Sequence, residues 1–304
     1  MPTTYIHKAS ISLAGRFFIR HIKKKGFQKY FIRRMKEKLY DVEEDPIPEK
    51  LHKAFSITSS EVRGRNISKI SPKNTSSKTI LFYLHGGGYV NNIKKEHWHL
   101  LGKLVKRTGA TAVVPNYPLG PGITAEQSFP MVEEAYHQLV EEVGSENIIL
   151  MGDSAGGGFS MGLVQKLKEE GKPLPQQIIL LSPWLDIDMD NPAINTLGEE
   201  DPWMDVGALQ AAGGLWAGDM DHDHPMVSPI HGLMKGLPPI STFMGGRDLF
   251  LADNRKLKAI MEEQGTPINY FEYPHMFHVW MVFPALREGK KAIRQMAELI
   301  LKSV

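Results

Sequence analysis

The run Gly152-Asp153-Ser154-Ala155-Gly156 fits G-x-S-x-G. An apolar run, Asn147 to Met151, leads into it, and small residues, Ala155 to Gly158, lead out into a helix-like pattern. That setting places Ser154 on a sharp strand-to-helix turn, where a hydroxyl is presented as a nucleophile. Glycine is needed where such a turn strains the backbone and where neighbouring elements approach closely. The helix N-terminus then directs N–H groups and the positive end of its dipole at an anion forming beside the serine. A second constellation, His85-Gly86-Gly87-Gly88-Tyr89, follows another apolar run. Its glycines let backbone N–H groups face a small volume, so the loop is expected to stabilise an oxyanion together with the N–H of Ala155. A phosphate loop is the rival reading. Neither glycine run is followed by Lys-Ser/Thr or fits G-x-G-x-x-G before a suitable acid, which disfavours it. His85 itself is read as a loop-ordering residue.

A serine nucleophile needs a base, and the base needs an orienting carboxylate. Asp248 follows the apolar run Ile240 to Met244 in Gly245-Gly246-Arg247-Asp248, a strand-end position suited to an active-site acid. Asp253 falls inside the next helical pattern and is read as a helix-face residue. After the run Ile268 to Tyr273 comes Pro274-His275-Met276-Phe277-His278, which supplies the base as His278 or His275.

These residues need a scaffold that brings strand ends together, and the chain has the pattern for one. Phe55 to Val62 and Asn66 to Ile70 read as two strands, then Pro72 to Lys78 as a polar loop and Thr79 to Leu84 as a strand buried on both faces. Helix-like and apolar runs alternate from there: helices at Glu96–Arg107, Ala125–Glu142, Ala155–Glu170, Leu251–Gln264 and Arg287–Leu301, with strands at Ala110–Val114, Gln177–Leu181 and the runs above. The alternation predicts an α/β fold with a mostly parallel sheet covered by helices on both faces. Residues 185–230, rich in Asp, Pro and Gly with a helix near Val206 to Trp216, break the rhythm as a lid or binding segment would.

With these motifs in order over residues 80–280, the chain resembles the bacterial hormone-sensitive-lipase family of α/β-hydrolase carboxylesterases. Ser182-Pro183-Trp184-Leu185-Asp186 and Asp201-Pro202 join the match. The resemblance implies an α/β-hydrolase fold with a helical cap, a triad of Ser154, Asp248 and His278, and an oxyanion hole of Gly87, Gly88 and Ala155. The Met276-x-His278 spacing selects His278 over His275. The implied activity is serine carboxylesterase action on short-chain acyl esters, without cofactor or metal. The implied division is an N-terminal part of the cap at 1–45, a first core segment at 46–184, a cap insertion at 185–230 and a second core segment at 231–304. His85, Gly86, Tyr89, Trp184 and Trp280 are expected around the substrate. One departure is Tyr117-Pro118-Leu119-Gly120-Pro121, where the family usually reads Tyr-Arg-Leu-Ala-Pro-Glu. Two other readings of the same apparatus are an arylformamidase-like amide hydrolase and a non-catalytic small-molecule receptor; receptors of this type lose the catalytic histidine.

Composition narrows the rest. The chain has 304 residues, 42% apolar and 23% charged, ordinary for a globular protein. It has no cysteine, which removes disulfides, a thiol nucleophile and thiolate metal sites, and fits the cytoplasm. No stretch approaches the ~20 apolar residues of a membrane span, and no secretory leader is read. The +2 net charge is uneven: residues 1–40 hold eleven Lys/Arg against Glu37, a net of +10, leaving −8 on the other 264. Phe18 and Ile22, then Phe27, Phe31, Met35 and Leu39, form apolar stripes at helical spacing, with Gly26 between them. The segment is read as a lid helix pair over the site rather than a nucleic-acid tail, with membrane-surface contact through residues 16–40 as a secondary expectation. A homodimer is also allowed. The cluster Asp219, Asp221, His222, Asp223 and His224 lacks calcium-loop spacing and is not read as a metal site.

Overall fold

The computed structural model describes residues 2–74, 77–198, 200–283 and 285–302. Residues 75 and 76 of the expected polar loop lie outside them. Among the described residues, nine strands form one sheet: β1 (Thr4–Ile6), β2 (Phe55–Val62), β3 (Arg65–Pro72), β4 (Ile80–Leu84), β5 (Thr111–Pro115), β6 (Ile148–Asp153), β7 (Gln177–Leu181), β8 (Ile240–Gly245) and β9 (Ile268–Tyr273). Their order is β1-β9-β8-β7-β6-β4-β5-β3-β2. Every pair from β1 through β5 is parallel, whereas β5-β3 and β3-β2 are antiparallel. Strands β4, β6, β7 and β8 are buried along their whole length, which is why their sequences run apolar without alternation. Edge strand β2 exposes most of its residues and reads as polar.

The helices are α1 (Leu13–Lys25), α2 (Phe27–Lys36), α3 (Glu49–Ala54), α4 (Lys95–Thr108), α5 (Ala125–Val143), α6 (Ser154–Glu169), α7 (Ile194–Gly198), α8 (Val206–Ala217), α9 (Leu251–Glu263) and α10 (Arg287–Lys302). One face of the sheet carries a core with α5, α6, α8 and α9, and the other a core with α4 and α10. Among the described residues, no helix is long and apolar enough to cross a membrane.

The N-terminal segment departs from its expected organisation in three places. Strand β1 extends the sheet, Thr4 aligning with Tyr270, so residues 4–6 belong to the sheet edge rather than to a layer above it. A three-residue strand held by backbone bonds has no periodicity to read. Helix α1 is pinned to α10 through Ser12, whose N–H and Oγ donate to Glu288 at 2.6 and 2.9 Å. Gly26, at φ 65, separates α1 from α2 as expected. Helix α2 ends at Lys36, however, and Leu39 leaves the stripe, 46% exposed. Residues 45–48, whose run Asp45-Pro46-Ile47-Pro48 reads as a linker, are tied down instead: Trp98 Nε1 donates to the Asp45 carbonyl at 2.9 Å.

Candidate active site

Strand β6 passes into α6 at Ser154, a non-glycine residue held at φ 52. The strained conformation survives because its neighbours allow no other path. A Cβ on Gly152 would lie 2.2 Å from the Gly156 carbonyl oxygen, and one on Gly156 would lie 2.0 Å from that of Leu84 in β4. Only glycine lets helix and strands approach this closely.

Ser154 Oγ stands 2.9 Å from His278 Nε2. The other ring nitrogen, Nδ1, stands 3.1 Å from Asp248 Oδ2. Asp248 is fully buried, and its Oδ1 accepts the Phe250 N–H at 3.0 Å. The loops carrying His278 and Asp248 are joined directly: Arg247 N–H donates to the Met276 carbonyl and Gly246 N–H to the Tyr273 carbonyl, both at 2.9 Å. Val279, left-handed at φ 49, donates its N–H to Ser182 Oγ at 3.2 Å, which anchors the histidine loop to the end of β7. Burial works against charge on His278, but the carboxylate of Asp248 outweighs it and holds the imidazole above its usual range. His275 is exposed and outside the cluster. Asp253 is buried on α9, where it accepts from Asn191 Nδ2 at 2.9 Å.

A second buried carboxylate, Asp201, supports this centre. Its Oδ1 accepts the N–H groups of Trp203 and Met204 at 2.7 and 2.9 Å, and its Oδ2 accepts that of Leu249, next to Asp248, at 3.0 Å. Burial, and then the nearby Asp248, push its carboxyl up to about 6. Gln28 of α2 donates through Nε2 to the carbonyls of Asp201 and Met204 at 2.9 and 2.8 Å. Nothing in the spacing of residues 28 and 201 announces this bridge.

Asp153, just before the serine, accepts from Tyr83 Oη at 2.5 Å and from the Gly86 N–H at 2.8 Å, and meets His97 Nε2 at 3.3 Å. Burial opposes charge on both partners, yet each favours the other's ion: the Asp153 carboxyl is lowered and the His97 imidazole raised.

The glycine loop presses against this network. Gly87 and Gly88 lie at φ 130 and 64 and line the same cavity as Ser154. Among the described residues, neither N–H has a hydrogen-bond partner. Ala155 follows Ser154 in the first turn of α6. His85 donates from Nδ1 to the Gly86 carbonyl at 2.7 Å and stacks on Tyr117. Burial lowers its pKa to about 4, so it is neutral.

The cavity above Ser154 has a volume of about 560 Å³. Phe18 and Ile22 of α1, Phe27 and Phe31 of α2, Trp203, Met204 and Leu209 form much of its wall. The expected pocket residues His85, Gly86, Tyr89, Trp184 and Trp280 do not line it. Trp184 is buried between Tyr89 and Phe250, and Trp280 packs on Tyr273 in the core on the other face of the sheet. Proximity in sequence to the histidine misplaces Trp280, because the chain turns at Val279 and sends the indole inward. The aromatic wall comes instead from Trp203 and the N-terminal helices. In the Asp219–His224 run, His222 Nδ1 pairs with Asp188 Oδ1 at 2.5 Å, and Asp221 accepts the Asp223 N–H at 3.1 Å.

Residues 81–282, two thirds of the chain, match the α/β hydrolase fold family. An acetyl-hydrolase of Streptomyces hygroscopicus is 33% identical over 230 residues, covering 74% of this chain and 75% of its own. An esterase of Acinetobacter venetianus is 27% identical, covering 78% of each chain. The crystal structure of an esterase from the bacterial hormone-sensitive lipase family superposes with a TM-score of 0.84 at 25% identity, over 97% of this chain and 99% of that one. The chain belongs to the α/β hydrolase fold family, among its hormone-sensitive-lipase-like esterases.

Proposed function

We propose that Ser154, His278 and Asp248 act as a catalytic triad that hydrolyses short-chain acyl esters through an acyl-enzyme. The chain is a carboxylic ester hydrolase by its family and relatives. The observation carrying the residue roles is the unbroken relay from Ser154 Oγ through His278 to Asp248 at 2.9 and 3.1 Å. His278 Nε2 takes the Ser154 proton as Oγ attacks the acyl carbonyl, and Asp248 holds the Nδ1–H tautomer and stabilises the imidazolium. The unpaired N–H groups of Gly87 and Gly88, with that of Ala155, receive the oxyanion, each such donor being worth about 3 kcal/mol. His278 returns the proton to the leaving alkoxide. Water then attacks the acyl-enzyme with His278 again as base, releasing the acid and Ser154.

In this reading α1 and α2, with residues 185–230, form the cap, and Gln28 ties it to the Asp201 turn. The short-chain preference is supported by the resemblance to the acetyl-hydrolase. His278 beside Ser154 favours catalysis over a receptor role. The lack of cysteine fits a cytoplasmic location. The test is a hydrolysis profile over p-nitrophenyl esters of increasing acyl length, for the wild type and Ser154→Ala. Activity should peak at short acyl groups and vanish in the variant. Dominance of long chains would overturn the chain-length reading, and a fully active variant the triad.

A further inference from the structure

The eleven Lys and Arg of residues 1–40 are not there to neutralise the acidic remainder of the chain. Among the described residues, only Arg33 has a carboxylate within 4 Å, and that partner is Glu37 on the same segment. Glu288 of α10, which meets the start of α1, is buried and occupied by Ser12. Arg16, Arg20, Lys23, Lys24, Lys25 and Lys29 are all exposed and unpaired. Leu13 and Phe17 stand among them, 83% and 72% exposed. At 100° per residue, Leu13, Phe17, Arg20 and Lys24 share one stripe, opposite the buried Gly15, Ile19 and Ile22. Exposed apolar side chains scattered singly need no explanation, but two on successive turns inside a ring of unpaired cations do.

We propose that the outer face of α1, with the adjoining start of α2, docks on an anionic phospholipid surface. The cations complement lipid phosphates, and Leu13 and Phe17 enter the headgroup–acyl boundary as the apolar residues of an interfacial helix do. A nucleic acid would use the cations but leave Leu13 and Phe17 in water, so lipid accounts for both. The same helix supplies exposed His21 to the wall of the cavity. Docking therefore sets the cavity beside the bilayer, which fits esters partitioned into lipid. That last step rests on the esterase reading above, whereas vesicle binding does not.

The test is co-sedimentation of the full chain with phosphatidylcholine vesicles with and without one quarter phosphatidylglycerol, at low and high salt. Binding is expected to the anionic vesicles only and to fall with salt. The triple variant Lys23→Gln, Lys24→Gln, Lys25→Gln should bind about 100-fold more weakly, and Phe17→Ser about 10-fold. None of these residues lines the cavity. Hydrolysis of dissolved p-nitrophenyl butyrate should therefore persist in both variants, which reports their folding. Equal binding to both vesicle types, no binding, or binding unchanged in the folded variants overturns the proposal. So does displacement of bound protein by DNA together with full binding by Phe17→Ser, or self-association through Phe17 in the absence of lipid.

Discussion

Replacing Asp248 by Asn tests the proposed triad at the atom that sets its proton. In the native site, Asp248 Oδ1 accepts the Phe250 N–H at 3.0 Å and Oδ2 faces His278 Nδ1 at 3.1 Å. An asparagine has one acceptor oxygen, and the Phe250 N–H, which has no other acceptor among the described residues, claims it. The amide NH₂ then points at His278 Nδ1 and forces that nitrogen to accept. The proton moves to Nε2, the atom that must take the Ser154 hydrogen at 2.9 Å. The imidazolium also loses its counter-charge. The same substitution in the best-studied serine triad lowers kcat by about 10⁴-fold, or about 5 kcal/mol of barrier. A comparable loss in kcat/KM is expected on p-nitrophenyl butyrate, with circular dichroism and Tm close to native. The pH profile adds a signature. His278 must be neutral to accept a proton, so wild-type activity falls as pH drops through a pKa held above 6.5 by Asp248. The variant loses the largest group that raises His278, while Asp201 and Asp153 remain, so the acid limb of the residual activity should move to lower pH. A folded Asp248→Asn enzyme within tenfold of wild type, or one with an unmoved acid limb, would refute the tautomer argument.

Three further outcomes follow from the geometry. Trp203→Ala should widen the cavity, raising kcat/KM for octanoyl relative to butyryl esters by at least about tenfold. Because Trp203 is only partly buried, the change should cost less than the ~3–5 kcal/mol of a core tryptophan; an unchanged chain-length ratio would remove Trp203 from the substrate wall. Gly156→Ala would drive a methyl to 2.0 Å from the Leu84 carbonyl, so urea unfolding should show a loss of about 1–3 kcal/mol or a failure to fold. His97→Gln removes the raised imidazole from the Asp153 pair. A raised histidine stabilises the fold fully below its unfolded pKa and loses that effect as pH rises through its folded one. The Tm gap between wild type and variant should accordingly be widest near and below pH 6.5 and close at alkaline pH; a gap that widens with pH would contradict the ion pair.

Strand and helix identity was legible wherever burial is two-sided or periodic. The runs at β4, β6, β7 and β8 are apolar because both their faces are covered, and α4, α5, α9 and α10 repeat at helical spacing. The elements that escaped are short ones without a readable period: β1 beside β9, α3 after the Asp45 segment, and α7 within residues 185–230.

For the site, the sequence by itself determined the local chemistry. A serine at φ 52 demands the glycines around it, and the strand-end positions of Asp248 and His278 follow from chain order. Such motifs are readable because the constraint lies within a few covalently linked residues. The tertiary structure alone decided what surrounds them. It drew Asp201 beside Asp248, reached Gln28 across 173 positions to that turn, placed Trp203 in the wall, and turned Trp184 and Trp280 into the core. Those contacts join segments far apart in the chain, where only the packing of helices on the sheet sets which side chains meet.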